Sequence, residues 1–87
     1  MNDTKFCKVL NTIPNTIIYI KFKGKKYLLN KQELLQGKVI KIYAKELGGN
    51  DIVSANFYTT IKNGLLKPCE MSEKKVIDFI LNLDIMR

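Results

Sequence analysis

Two alternating runs in the first half of the chain restrict its fold more than any other feature. Thr16-Ile-Ile-Tyr-Ile-Lys-Phe-Lys23 and Lys38-Val-Ile-Lys-Ile-Tyr-Ala-Lys45 each carry an apolar residue at every second position. Successive side chains of a strand point to opposite faces. The first run therefore puts Ile18, Ile20 and Phe22 on one face, and Ile17, Tyr19, Lys21 and Lys23 on the other. The second puts Ile40, Ile42 and Ala44 on one face, and Val39, Lys41, Tyr43 and Lys45 on the other. Each strand has a side that must be buried and a side where tyrosine and lysine interleave.

The segment between these strands reads as a hairpin followed by a helical turn. Gly24-Lys25 suits a type II′ turn with glycine in its first central position. That turn sets Phe22 opposite Tyr27 and Ile20 opposite Leu29, with a second strand from Lys26 to Leu29. Asn30-Lys-Gln-Glu33 has the form of a capping box. It predicts one or two helical turns over 31–36, ended by Gly37.

After strand three, Glu46-Leu-Gly-Gly-Asn-Asp51 is a turn. Strand four begins near Ile52, with Val53, Ala55, Phe57 and Ile61 on one face and Ser54, Asn56, Tyr58, Thr60 and Lys62 on the other. Asn63-Gly64 is the strongest local hairpin signal, since Asn-Gly populates the positive φ angles of a type I′ turn. It places Ile61 opposite Leu66 and Lys62 opposite Leu65, and Pro68 confines strand five to an edge.

The clearest helix is C-terminal. Ser72 can cap it and Glu73 suits its first turn. Val76, Ile77, Phe79, Ile80 and Leu83 form an apolar stripe at helical spacing. At the other end, residues 1–15 form either a short helix, with Phe6, Val9 and Leu10 on one side, or an arm docked through Phe6 and Leu10. Pro14 cannot continue such a helix, and Ile13 before it is pushed away from helical geometry.

A chain of 87 residues allows one domain, 1–87, with one modest core. The reading is an α+β fold: a four- or five-stranded antiparallel sheet, left open or curled into a small barrel, with the C-terminal helix packed on one face. No stretch approaches the roughly 18 apolar residues of a membrane span. The N-terminus lacks the pattern of a signal peptide. A cytoplasmic protein without a membrane span is expected.

The formal net charge is +7, and every basic residue but Arg87 is lysine. Positive charge attracts polyanions. Lysine lacks the planar fork that reads base edges, so sequence-specific duplex recognition is disfavoured. The richness in Lys, Ile and Asn also suits a small accessory protein encoded by an AT-rich bacterial or phage genome, which by itself exchanges arginine for lysine. Lys21, Lys23, Lys25, Lys26 and Lys31 crowd the first hairpin.

Catalysis and metal binding find little support. The chain has no histidine, which removes the usual general base. Glu33, Glu46, Asp51 and Glu70 fall at separate turns and strand ends. Cys7 and Cys69 match no metal spacing, and a zinc site needs four ligands. They are expected as reduced thiols. No enzyme activity, metal or cofactor is expected.

Binding is the function class left. On the face away from the C-terminal helix the pattern gathers Tyr19, Lys21, Lys23, Lys41, Tyr43, Lys45, Tyr58 and Lys62, with Lys67 at the edge. Aromatic rings stack on bases and lysines follow phosphates, so this face suits single-stranded RNA or DNA with little sequence specificity. The same residues also suit a plain solvated sheet face. Ile17, Val39 and Leu65 share the face and suit an alternative: a protein–protein interaction module, an inhibitor or adaptor, that takes an acidic partner or a second copy of itself.

Overall fold

The computed structural model describes residues 4–61 and 64–86. In chain order the elements are α1 (Thr4–Thr12), β1 (Ile17–Phe22), β2 (Lys25–Leu34), β3 (Val39–Glu46), β4 (Ile52–Tyr58), β5 (Leu65–Pro68), α2 (Glu73–Asn82) and β6 (Asp84–Ile85). The sheet is open, and its strand order is β5-β4-β3-β2-β1-β6 with antiparallel neighbours throughout. The α+β class stands. The sheet has six strands where four or five were expected, and it does not curl into a barrel. The extra strand, β6, is two residues long and too short to leave a pattern in the sequence.

Hydrophobic alternation decides which face is buried. Ile20, Tyr27, Leu29, Ile40, Ile42, Ala44, Val53, Ala55, Phe57 and Leu66 all point to one side and are buried there. The helices supply the other layer: Phe6 and Leu10 from α1, Ile13 just after it, and Val76, Phe79 and Ile80 from α2. The C-terminal helix therefore shares the covered face with α1, which takes the helical form of the two expected for residues 1–15. Phe79 lies 5.0 Å from the ring of Phe22 and 5.1 Å from that of Tyr27. Phe6 packs 5.5 Å from Phe57. Each such side chain contributes about 1.5–3 kcal/mol on burial, before conformational entropy is subtracted. α2 starts where the sequence indicates: Ser72 Oγ accepts a hydrogen bond from the Lys75 amide at 3.1 Å.

Three local expectations fail, each for a stated reason. The first hairpin turns at Lys23-Gly24 instead of Gly24-Lys25. Both residues have positive φ, 51° and 78°, as a type I′ turn requires. Phe22 then pairs with Lys25, Ile20 with Tyr27 and Ile18 with Leu29. The shift moves the pairing by two positions, so every side chain keeps its face.

The helical turn expected over 31–36 is strand. β2 runs to Leu34 and pairs with β3 as far as Val39. A capping box alone cannot repay helix nucleation over so few residues, whereas the alternating β3 offers a full ladder of partners. Leu35, Gln36 and Gly37 make the turn in left-handed conformation.

The third failure is at Ile61, expected on the buried face and 49% exposed. β4 ends at Tyr58, which pairs with Leu65, and Phe57 pairs with Leu66. Leu66 is thus not opposite Ile61, and the connection is longer than a two-residue hairpin. Lys62 and Asn63 lie outside the described residues. Gly64 holds a φ of 76° against the Phe57 ring, where a Cβ would collide.

Continuing β2 as strand sends Lys31 inward, where it is 2% exposed. Its ammonium donates to the Leu10 carbonyl at 2.8 Å and the Ile13 carbonyl at 2.7 Å. Those carbonyls sit at the negative end of α1, which has no basic residue in its own last turn. Burial holds the Lys31 pKa below its ordinary value, with Glu33 opposing that shift.

Lys31→Met should lower stability by about 2 kcal/mol, because two buried carbonyls lose a charged donor. The depressed pKa also has a signature. Between it and the ordinary lysine value the unfolded chain binds more protons than the folded one, so the wild type should gain stability over Lys31→Met as pH rises through that window. Urea melts of both proteins at neutral and alkaline pH measure both effects.

Candidate functional site

The side chains that alternate away from the helices form the second face of the sheet, and cross-strand register arranges them in rows. At one end Leu65, Tyr58, Val39 and Leu34 lie side by side. Next come Lys67, Asn56, Lys41 and Gln32, then Ser54, Tyr43, Asn30 and Ile17. Ile52, Lys45, Leu28 and Tyr19 follow. Lys26, Lys21 and Asp84 close the far end.

The three tyrosines lie on a diagonal. Tyr19 and Tyr43 are two strands and one row apart, and Tyr43 and Tyr58 are one strand and two rows apart. With strands about 4.8 Å apart and a rise of about 3.4 Å per residue, the spacings are roughly 12 and 14 Å. That is too wide for neighbouring stacked bases, which repeat at about 3.4 Å. Tyr19 is 57% exposed and Tyr43 40%; Tyr58 is half-buried. Lys41 and Lys45 flank Tyr43 on the central strand β3 and are exposed.

Most of the sequence-derived set falls on this face: Tyr19, Lys21, Lys41, Tyr43, Lys45 and Tyr58, with Lys67 at the β5 edge. Lys23 does not. It forms the turn, and its ammonium lies 3.1 Å from the Asp78 carboxylate on α2 and 5.2 Å from the centre of the Phe22 ring. Lys62 lies outside the described residues. Sequence reasoning left out Lys26, which stands opposite Lys21, and Leu28, Ile52 and Met86. The hairpin pairing was the available signal for Lys26: with Tyr27 buried, its neighbour must point outward.

Charge is segregated. Among the described residues Asp84, at the margin, is the one carboxylate at a strand position on this face. Glu33 and Glu46 alternate to the helix side, opposite Ile40 and Tyr27. Asp78 lies on α2 and takes Lys23 and the Asn82 amide. Asp51 joins the turn before β4 to the covered side. Its carboxylate accepts from Tyr27 Oη at 2.7 Å and from Lys75 Nζ at 2.7 Å. The hydrogen bond from Lys75, then that from Tyr27, holds the Asp51 pKa below the usual carboxylate range. Burial, followed by the bond to Asp51, pushes the Tyr27 phenol well above its ordinary value. The phenol stays protonated and the carboxylate ionised and occupied. The cluster ties β2, the β3–β4 turn and α2 together and leaves no base poised for proton transfer.

Among the described residues no group of three His, Cys, Asp or Glu is placed to hold an ion. Cys7 is half-buried, Cys69 is exposed, and they form no disulfide. No described helix is long and apolar enough to cross a membrane. In comparison with known proteins, no family model, no curated protein and no solved structure matches this chain.

Two expectations follow. Asp51→Asn should cost about 1 kcal/mol at neutral pH, the scale of a partly exposed ion pair. Because the folded pKa is depressed, this contribution should be present above the unfolded value near 3.9 and vanish as pH falls through the folded one. Melts of both proteins from pH 7 to pH 2 test this by convergence at the acid end. The double substitution Lys41→Ala and Tyr43→Ala should leave the thermal midpoint within a few degrees, because neither side chain touches the core. A collapse measured by circular dichroism would invert the face assignment.

Proposed function

We propose that the protein is a small non-catalytic binding module whose open sheet face engages single-stranded nucleic acid with little sequence specificity. One observation carries the reading. A sheet face left bare by both helices presents Tyr19, Tyr43 and Tyr58 among Lys21, Lys26, Lys41, Lys45 and Lys67, with one marginal carboxylate among the described residues. Exposed aromatic rings on a flat sheet supply stacking that any base can use, at about 1–3 kcal/mol each. Lysines supply phosphate attraction without base-edge selectivity. The wide diagonal spacing fits an extended, unstacked strand better than a helical one.

The apolar residues of the face favour a second reading, a protein partner. Ile17 is 57% exposed, and Leu34, Ile52 and Leu65 are also exposed. A second copy docked face to face would bring these lysines together without carboxylates to answer them, and like-charge juxtaposition costs several kcal/mol. The partner in this second reading is therefore an acidic protein.

Fluorescence anisotropy of labelled poly-U and poly-dT oligomers, from about 50 to 300 mM salt, separates the readings. Saturable binding should weaken linearly in log salt with a slope of several. Tyr43→Ala should reduce affinity by about fivefold or more, the low end of one lost stack. Lys67→Ala should lower the slope by about one. Binding that ignores the tyrosines and disappears near physiological salt would transfer the face to the acidic partner.

A further inference from the structure

At one corner of the open face a groove of about 460 Å³ is lined by Tyr19, Lys26, Leu47 and Met86. It is a shallow depression, open to solvent, with mostly apolar walls. The three non-basic walls are large and exposed, at 57% for Tyr19, 40% for Leu47 and 39% for Met86. Their backbones are held in place: the Leu47 amide donates to the Lys26 carbonyl at 2.8 Å, and the Met86 amide to the Tyr19 carbonyl at 3.1 Å. The backbone that carries these side chains is thus fixed to the sheet.

The charge around the groove is one-sided. Lys26 lines it, and Lys21 stands directly across from Lys26 on β1. Like charges in directly opposed strand positions are unfavourable, and an anion between or above them removes the repulsion. Asp84, across from Lys21 on the far strand, answers one of the two. A site with an exposed aromatic ring, two apolar walls and an excess ammonium is complementary to a planar, partly apolar group carrying an anion.

We infer that this groove is a seat for one unstacked nucleotide, its base against Tyr19 and Met86 and its sugar and phosphate over Leu47 and Lys26. The inference rests on the nucleic-acid reading of the open face and adds a fixed point to it. A strand lying along the tyrosine diagonal is anchored at the Tyr19 end by an inserted base. A duplex cannot use such a seat, so the groove also selects single strands.

The test uses the full chain with thymidine 5′-monophosphate, thymidine and oligo-dT, followed by NMR of the Met86 and Leu47 methyls and the Tyr19 ring. The monophosphate should shift all three saturably, and thymidine should bind about tenfold more weakly, for want of a charge-assisted hydrogen bond. Leu47→Ser, in an exposed turn outside the tyrosine diagonal, should weaken the monophosphate several-fold with the thermal midpoint unchanged. Monophosphate binding that leaves the groove signals unmoved, or that is unaltered in Leu47→Ser, would overturn the inference. So would equal affinity for thymidine and its monophosphate. Oligo-dT binding that depends on Tyr43 while the monophosphate does not bind leaves the platform standing and removes the seat. A seated monophosphate with no oligo-dT binding does the reverse.

Discussion

This sheet has two faces, and the chain supplies helix for one. α1 has nine residues and α2 ten, lengths of about 14 and 15 Å. Together they roof the side that carries Ile20, Leu29, Ile42 and Val53, and among the described residues no helix covers the other. α2 does most of this. It leaves β5 at one margin and delivers β6 to the opposite one, so the chain crosses the covered face from edge to edge. Phe79 closes against Phe22 and Tyr27 on the way. Two ion pairs stitch the helix to loops at the sheet's ends, Lys75 to Asp51 and Lys23 to Asp78. Both are partly exposed and contribute little each. The hydrophobic contact holds the layer, and the ion pairs fix where it sits.

The faces were legible because a strand has a period of two. Face assignment survives any error that moves a pairing by two positions, which is why expecting the turn at Gly24-Lys25 instead of Lys23-Gly24 changed the register while the paired strand residues kept their sides. The same robustness does not extend to where a strand ends. Asn30 to Glu33 is locally suited to a helix start, and the strand won because β3 continues the ladder alongside it as far as Leu34. Lys31 illustrates why such a result hides from a local reading. A lysine in a charged hairpin looks solvated, and only the arrival of α1 above it supplies the carbonyls that make its burial tolerable. Lys23 was lost from the candidate set because alternation stops at a turn. Its left-handed backbone aims the ammonium toward α2 instead of the open face.

Separation of charge between the faces follows from the same geometry. Glu33 and Glu46 occupy positions of buried parity near the strand ends, Glu33 exposed and Glu46 half-buried. Asp51 and Asp78 are spent on lysines of the helix side and the turns. Among the described residues the lysines of outward parity, apart from Lys21 opposite Asp84, therefore have no carboxylate at a neighbouring strand position. A net charge of +7 is a property of composition, but its projection from one face is a property of register. A one-residue slip in β3 would drive Lys41 and Lys45 into the core, so the fold protects the arrangement as strongly as it protects itself.

The open face is neither a typical solvated surface nor a core left bare. Its rows alternate in character, from the apolar line of Leu65, Tyr58, Val39 and Leu34 to the polar line of Lys67, Asn56, Lys41 and Gln32. An interface for a folded protein gathers its apolar residues at the centre and its charges at the rim. Here Lys41 and Lys45 stand at the centre, on β3, while Leu34, Leu65 and Ile52 lie toward the margins. That order is reversed for a globular partner, which would have to desolvate the central ammonium groups. A flexible polyanion meets no such cost, because it can lay phosphates on central lysines and leave them wet while its bases reach outward to tyrosines. In the reading we propose, the distribution of charge within the face bears on the choice of partner more than its amount does.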